Sequence, residues 1–174
     1  MSYINFNNAG SSYLTEKTQK IVKDFFDYEN IVGGYNAENL FKNKLNEFYF
    51  NASKLINCDP KEISFLQNST YAWNFFLNSI HFRKGENVVI LDNEYGSNLI
   101  GILNKKINHK ISKINTNGQV CFEDLKSKID KKTKIVFACH IASQCGDVIE
   151  IEKIGKLLKK INENIIFVVD ACQS

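Results

Sequence analysis

Apolar and polar residues alternate along this chain with two different periods, and the change falls near Ile63. Before it, Ile21, Val22, Phe25 and Phe26 recur at helical spacing within residues 15–29, behind Thr15 as a candidate cap. Phe41, Leu45, Phe48, Tyr49, Ala52, Leu55 and Ile56 then lie on one face of a predicted helix over 37–57. After Ile63, short apolar runs take over: ISFL at 63–66, VVILD at 88–92, KISKI at 110–114, KIVFAC at 134–139 and IIFVVD at 165–170. Between them, helices are predicted around 70–80, 95–104, 122–129 and 150–162. Nearly continuous apolar strands alternating with helices predict an α/β fold, a mainly parallel sheet with helices on both faces.

Composition narrows the picture. A chain of 174 residues with 44% hydrophobic content suggests one globular unit, and no repeat or Pro/Gly-rich linker divides it. The formal charge of +3 comes from 22 basic and 19 acidic residues without a basic stripe, which argues against nucleic acid as a partner. The apolar runs fall far short of the roughly 20 residues needed to span a bilayer. The start, MSYINFNNAG, lacks the pattern of a secretory signal, so no membrane partner and a cytoplasmic protein are expected. Five cysteines without a C-x-x-C argue against a disulfide framework. Cys139, His140 and Cys145 fit no zinc spacing, and no metal site is expected.

In an open parallel sheet, ligands collect at the carboxyl ends of the strands. The residues there are Gln67-Asn68-Ser69-Thr70, Asn93-Glu94-Tyr95, the run from His140 to Gly146, and Asp170-Ala171-Cys172-Gln173-Ser174. Asn68-Ser69-Thr70 opens a helix and serves either as an anion site or as an ordinary N-cap. Tyr95 is either a stacking platform or a packed aromatic, and His140 reads most simply as a satisfied histidine at a strand end. Gly146 ends its turn. Asp170 follows five apolar strand residues, so it needs a cation or strong donors, or it caps the next helix. Neither G-x-G-x-x-G nor G-x-x-x-x-G-K-[ST] occurs, which counts against a nucleotide fold.

Five segments in order, INFNNAG, NSTYAWN, DNEYGSN, HIASQCG and VVDACQS, resemble the class V aminotransferase family of fold-type-I enzymes that depend on pyridoxal 5′-phosphate (PLP). The family includes cysteine desulfurases, selenocysteine lyases and isopenicillin-N-epimerase-like proteins. The resemblance implies that Ser69 and Thr70 bind the cofactor phosphate, that Tyr95 stacks on the pyridine and that Ser143 lies near its 3-oxygen. It further implies that Asp170 pairs with the protonated pyridine nitrogen. The resemblance also implies that Gln173 hydrogen-bonds the phenolic oxygen and that Asn8, Ala9 and Gly10 border the substrate site. Tyr95 stands where desulfurases usually carry His, and Ser143 where they often carry Asn. The first substitution points toward the epimerase-like and C–S-lyase-like branch.

By the same resemblance, residues 1–174 correspond to an N-terminal arm and an incomplete PLP-binding large domain. The small C-terminal domain and the Schiff-base lysine are expected beyond Ser174, which predicts a chain inactive by itself. Neither Lys153 nor Lys156 sits at a motif position. The implied function is that of a cysteine desulfurase or C–S lyase acting on an amino acid. An aminotransferase, an epimerase or a non-catalytic binding remnant are the alternatives. A homo-oligomer such as a dimer, or a complementing C-terminal chain, is the implied partner, and the 37–57 helix is implied to contribute to dimer and domain contacts. Two strands of the family's sheet would also fall beyond Ser174. Their loss is expected to leave the 63–66 strand without lateral partners and the IIFVV strand as an exposed apolar edge.

Overall fold

The computed structural model describes residues 4–174. Where length and composition suggest one globular unit, the structure has two compact units, residues up to Phe65 and residues 66–174.

The first unit is helical. Helix α1, Glu16–Val32, starts where the Thr15 hydroxyl accepts the Thr18 N–H at 3.1 Å, so the expected cap is present. Gly33 ends α1 by donating its N–H to Glu29 O and immediately begins α2, Gly34–Ile56. Its φ of 82° is a region that residues with a Cβ rarely adopt, which is why one glycine suffices to join two helices. Phe41 of α2 meets Phe25 and Tyr28 of α1 edge to face, with ring centroids 5.6 and 5.5 Å apart. Asn57 closes α2 in the left-handed region, and an Asp59/Glu62 capping box starts a short 3-10 turn, Pro60–Glu62.

Residues 63–66 depart from expectation: ISFL forms no strand. A β-strand is defined by its ladder partner, and among the described residues none pairs with this segment. The apolar run is real, yet Phe65 is largely exposed.

The second unit carries the sheet. In chain order it contains α3 Ser69–Ser79, β1 Asn87–Leu91, α4 Gly96–Asn104, β2 Asn108–Ser112, α5 Phe122–Lys128, β3 Thr133–Cys139, α6 Ile151–Ile161 and β4 Ile166–Asp170. The strands lie in the order β2-β1-β3-β4, all parallel. Side chains of a strand alternate between faces, and both faces here are covered. Val89, Leu91, Val136 and Ala138 pack with Leu125 of α5 and Ile154 and Leu158 of α6. Val88, Ile90, Ile135 and Phe137 pack on the opposite face with Trp73 and Leu77 of α3 and Ile102 of α4. Each fully buried side chain of this kind contributes about 1.5–3 kcal/mol, so this two-sided core is what fixes the sheet.

Strand β2 begins two residues earlier than the KISKI run predicts. Its ladder pairs Asn108 with Asn87 and Ser112 with Leu91, where β1 ends. Beyond that point Ile114 donates its N–H to the Asp92 carboxylate at 2.9 Å and bridges to Val120 instead. β4 lies at one edge of the sheet among the described residues, half-buried along its length, as the expected IIFVV edge.

Candidate functional site

β1, β3 and β4 are neighbours running in one direction, so the segments that follow them share one rim of the sheet. Five of the expected residues belong to it. Tyr95 follows β1, with its ring about half exposed at the start of α4. Ser143 is exposed in the 143–145 turn after β3, which Gly146 closes at φ 77° by donating its N–H to Ala142 O. Asp170 ends β4 and Gln173 sits in the turn beyond it. Thr70 joins this group through its hydroxyl, 3.0 Å from the Ser97 hydroxyl, which connects the first turns of α3 and α4.

The α3 N-terminus carries the cap that one of its two readings gave it. Asn68 caps the helix, its side-chain oxygen accepting the Tyr71 N–H at 2.8 Å. The first intrahelical bond runs from Ala72 N–H to Asn68 O, so the N–H groups of Ser69 and Thr70 point out of the helix. Together with two hydroxyls, they offer donors to an anion.

Asp170 has the strong donors that one reading asks for, while among the described residues no helix follows it to be capped. Its Oδ1 accepts the Cys172 N–H at 3.1 Å, a local turn bond, and its Oδ2 accepts the Asn98 side-chain amide at 3.0 Å. Among the described residues no ion pair involves it. His140 is satisfied, as expected at a strand end: its Nδ1 lies 2.6 Å from the Ser174 hydroxyl.

Three residues that sequence reasoning left without a role gather around Asp170. Asn98 is buried, and its amide nitrogen reaches both Asp170 and the Glu94 Oε1, each at 3.0 Å. Glu94 Oε1 also accepts the Tyr95 N–H, while its Oε2 is buried without a hydrogen-bond partner. Burial, with the Asp170 charge adding to it, pushes the Glu94 carboxyl up to about 7. Burial, then Glu94 and Asp170, pushes the Cys139 thiol up to about 12. Glu94, Cys139 and Asp170 place donor atoms within 4.8 Å of one another. Ser97, Asn98 and Glu94 all lie in the quoted DNEYGSN segment, and the i, i+4 spacing of Glu94 and Asn98 was the available signal.

Asn8, Ala9 and Gly10 belong to the first unit. They form a turn in which Gly10 N–H reaches Asn7 O and Asn8 exchanges side-chain bonds with Asn5.

A family model for aminotransferase class-V matches residues 3–174. PbSufS of Plasmodium berghei (strain Anka) is 32% identical over 186 residues, covering 99% of this chain and 35% of that protein. The cysteine desulfurase SufS of Plasmodium falciparum (isolate 3D7) is 26% identical over 186 residues, covering 99% of this chain and 34% of that one. Among solved structures, a C-DES mutant with glycine covalently linked to its PLP cofactor superposes with a TM-score of 0.86 at 16% identity. That likeness covers 95% of this chain and 46% of the C-DES chain, and it shows the fold. The chain thus spans about a third of the length of these curated relatives and just under half of the solved one.

Proposed function

Since the chain belongs to the aminotransferase class-V family, we propose that residues 1–174 form the cofactor-cradling part of a PLP enzyme acting on cysteine or a related amino acid, of the cysteine desulfurase or C–S lyase type. The observation that carries this reading is the setting of Asp170. Its carboxylate is held at a strand end by two N–H donors and takes part in no ion pair among the described residues, on the rim that also gathers Thr70, Tyr95, Ser143 and Gln173. A protonated pyridine nitrogen is the cation that such a carboxylate lacks.

The residues present fit the cofactor. Ser69 and Thr70 offer hydroxyls and outward N–H groups to its phosphate. The half-exposed Tyr95 ring offers a face for stacking, and Ser143 and Gln173 would bond its ring oxygen. When bound, PLP supplies an electron sink for bond breaking at the amino acid α-carbon. Asp170 sustains that property by keeping the ring nitrogen protonated.

We place the Schiff-base lysine outside residues 1–174, on a continuing or complementing chain, so the polypeptide of these residues holds PLP without a covalent link. Borohydride treatment with PLP followed by peptide mapping should label no single lysine stoichiometrically. In equilibrium binding, Asp170→Ala should weaken PLP affinity by roughly 1.5–3 kcal/mol and Thr70→Ala by about 1–2 kcal/mol, the scale of charge-assisted hydrogen bonds. Unchanged affinity in both variants would return these residues to plain helix and turn caps. A stoichiometric adduct on one lysine would overturn the placement of the lysine.

A further inference from the structure

Glu94 takes no part in the cradle as described, yet it is bound into it. Asn98 is 1% exposed and sends one amide nitrogen to two carboxyl groups, Glu94 Oε1 and Asp170 Oδ2. The Asn98 backbone oxygen is itself held by the Trp73 indole N–H at 2.9 Å, so the bridging residue is anchored from α3 as well as within α4. Donors are unevenly shared. Asp170 receives one N–H on each oxygen, from Asn98 and from Cys172. Glu94 receives two on Oε1, from Asn98 and Tyr95, and none on Oε2, which is buried. Asn98 Oδ1 is also buried without a donor.

With both carboxyls ionised, this pocket would hold two negative charges against neutral donors alone. The groups facing Glu94 are the Asp170 carboxylate at the end of β4, the thiol and backbone N–H of Cys139 at the end of β3, the Tyr95 N–H and the Asn98 amide of α4. None is a cation. Burying an ion without a partner costs far more than burying the neutral acid, so one proton belongs to the pair. The oxygen without a donor is where it fits.

We propose that Glu94 is a positioning residue for Asp170: the two carboxyl groups form one pair bridged by the Asn98 amide, with the proton on Glu94 and the charge on Asp170, kept available for a cationic ring nitrogen. This rests on the cofactor reading of Asp170. As pH rises through the neutral range Glu94 loses its proton, and a second negative charge then strengthens the hold on a cationic ring.

The test has two arms. In the first, carboxyl 13C NMR follows Glu94 in the ligand-free chain. It should titrate near 7, and Asp170→Asn should move the midpoint down. Titration at an ordinary carboxylate position would overturn the proposal whether or not the cofactor reading stands. In the second, the dissociation constant of 4′-deoxypyridoxine 5′-phosphate, which lacks the aldehyde, is measured from pH 6 to pH 8 for the parent and Glu94→Gln. The amide mimics the protonated acid, so the two should bind within about twofold at pH 6, and the parent should gain several-fold over the variant by pH 8. Taking the ratio removes the ionisation of the probe itself. A constant ratio across this range would overturn the proposal. Absence of probe binding to the parent would instead overturn the cofactor reading, with the NMR arm still deciding the proton's place. Asn98→Ala should raise the dissociation constant about tenfold by removing the bridge. If that variant does not fold, Glu94→Gln still decides.

Discussion

The helical unit and the sheet unit use apolar residues in opposite ways. In residues 66–174, Phe137, Ile90, Ile135, Leu77 and their neighbours are sealed on two faces of one sheet. In residues 4–65, only Ala37 and Ser53 are buried, while Phe26, Ile31, Leu40, Phe48, Leu55 and Ile56 remain exposed. Ile21, Val22, Phe25, Phe26, Phe41 and Leu45 even line an open groove of about 700 Å³. Both regions show strong periodicity in sequence. Periodicity reports which residues share a face, and it is silent on whether anything covers that face.

The largest expected effect tests this contrast directly. Phe137→Ala removes a ring packed 4.3 Å from Trp73, centroid to centroid, and should cost about 3–5 kcal/mol in urea unfolding. Phe26→Ala, at an exposed position, should stay within about 0.5 kcal/mol. Equal costs would break the comparison, because Phe26 would then be energetically a core residue.

A second prediction concerns the sheet unit alone. An unfolded Glu94 titrates near 4.5, and the folded one near 7. Between those values the folded state binds more protons, so stability falls as pH rises across that window. The loss should be on the order of 2–3 kcal/mol, and Glu94→Gln should flatten it in unfolding curves taken at pH 4.5 and 7.5. A slope unchanged in the variant would assign the effect to other groups.

The smallest effect belongs to Asp130. Lys110, 2.6 Å away, holds its carboxyl below the ordinary carboxylate range. That contribution is present above about pH 4 and is lost as pH falls. The pair is substantially exposed, so Asp130→Asn should cost less than about 1 kcal/mol at neutral pH. Asparagine keeps an oxygen for the turn bonds from Lys132 N–H and Thr133, so a larger loss would mean that the charge facing Lys110 matters more than its exposure implies.

Much of this was legible in the sequence because the signals are local. Six helices appear where spacing and caps placed them, and four of the five apolar runs pair into one parallel sheet. Asp170, at the end of β4, was findable because a carboxylate after five apolar residues demands a partner. The failures are non-local. ISFL has strand composition, but pairing depends on a neighbour that composition does not name. The start of β2 follows the length of β1 rather than its own residues. Ser97 and Asn98 read as ordinary helix residues, since their meaning comes from Thr70 and Asp170, 27 and 72 positions away.

Trp73 gives one of these links a practical use. It is the single tryptophan in the chain, it is buried, and its indole N–H donates to the backbone of Asn98, the residue that spans the two carboxyl groups. Indole emission responds to the polarity and hydrogen bonding around the ring. The chain therefore carries a native optical reporter at the junction between its core and its rim, one that can be read without attaching any label.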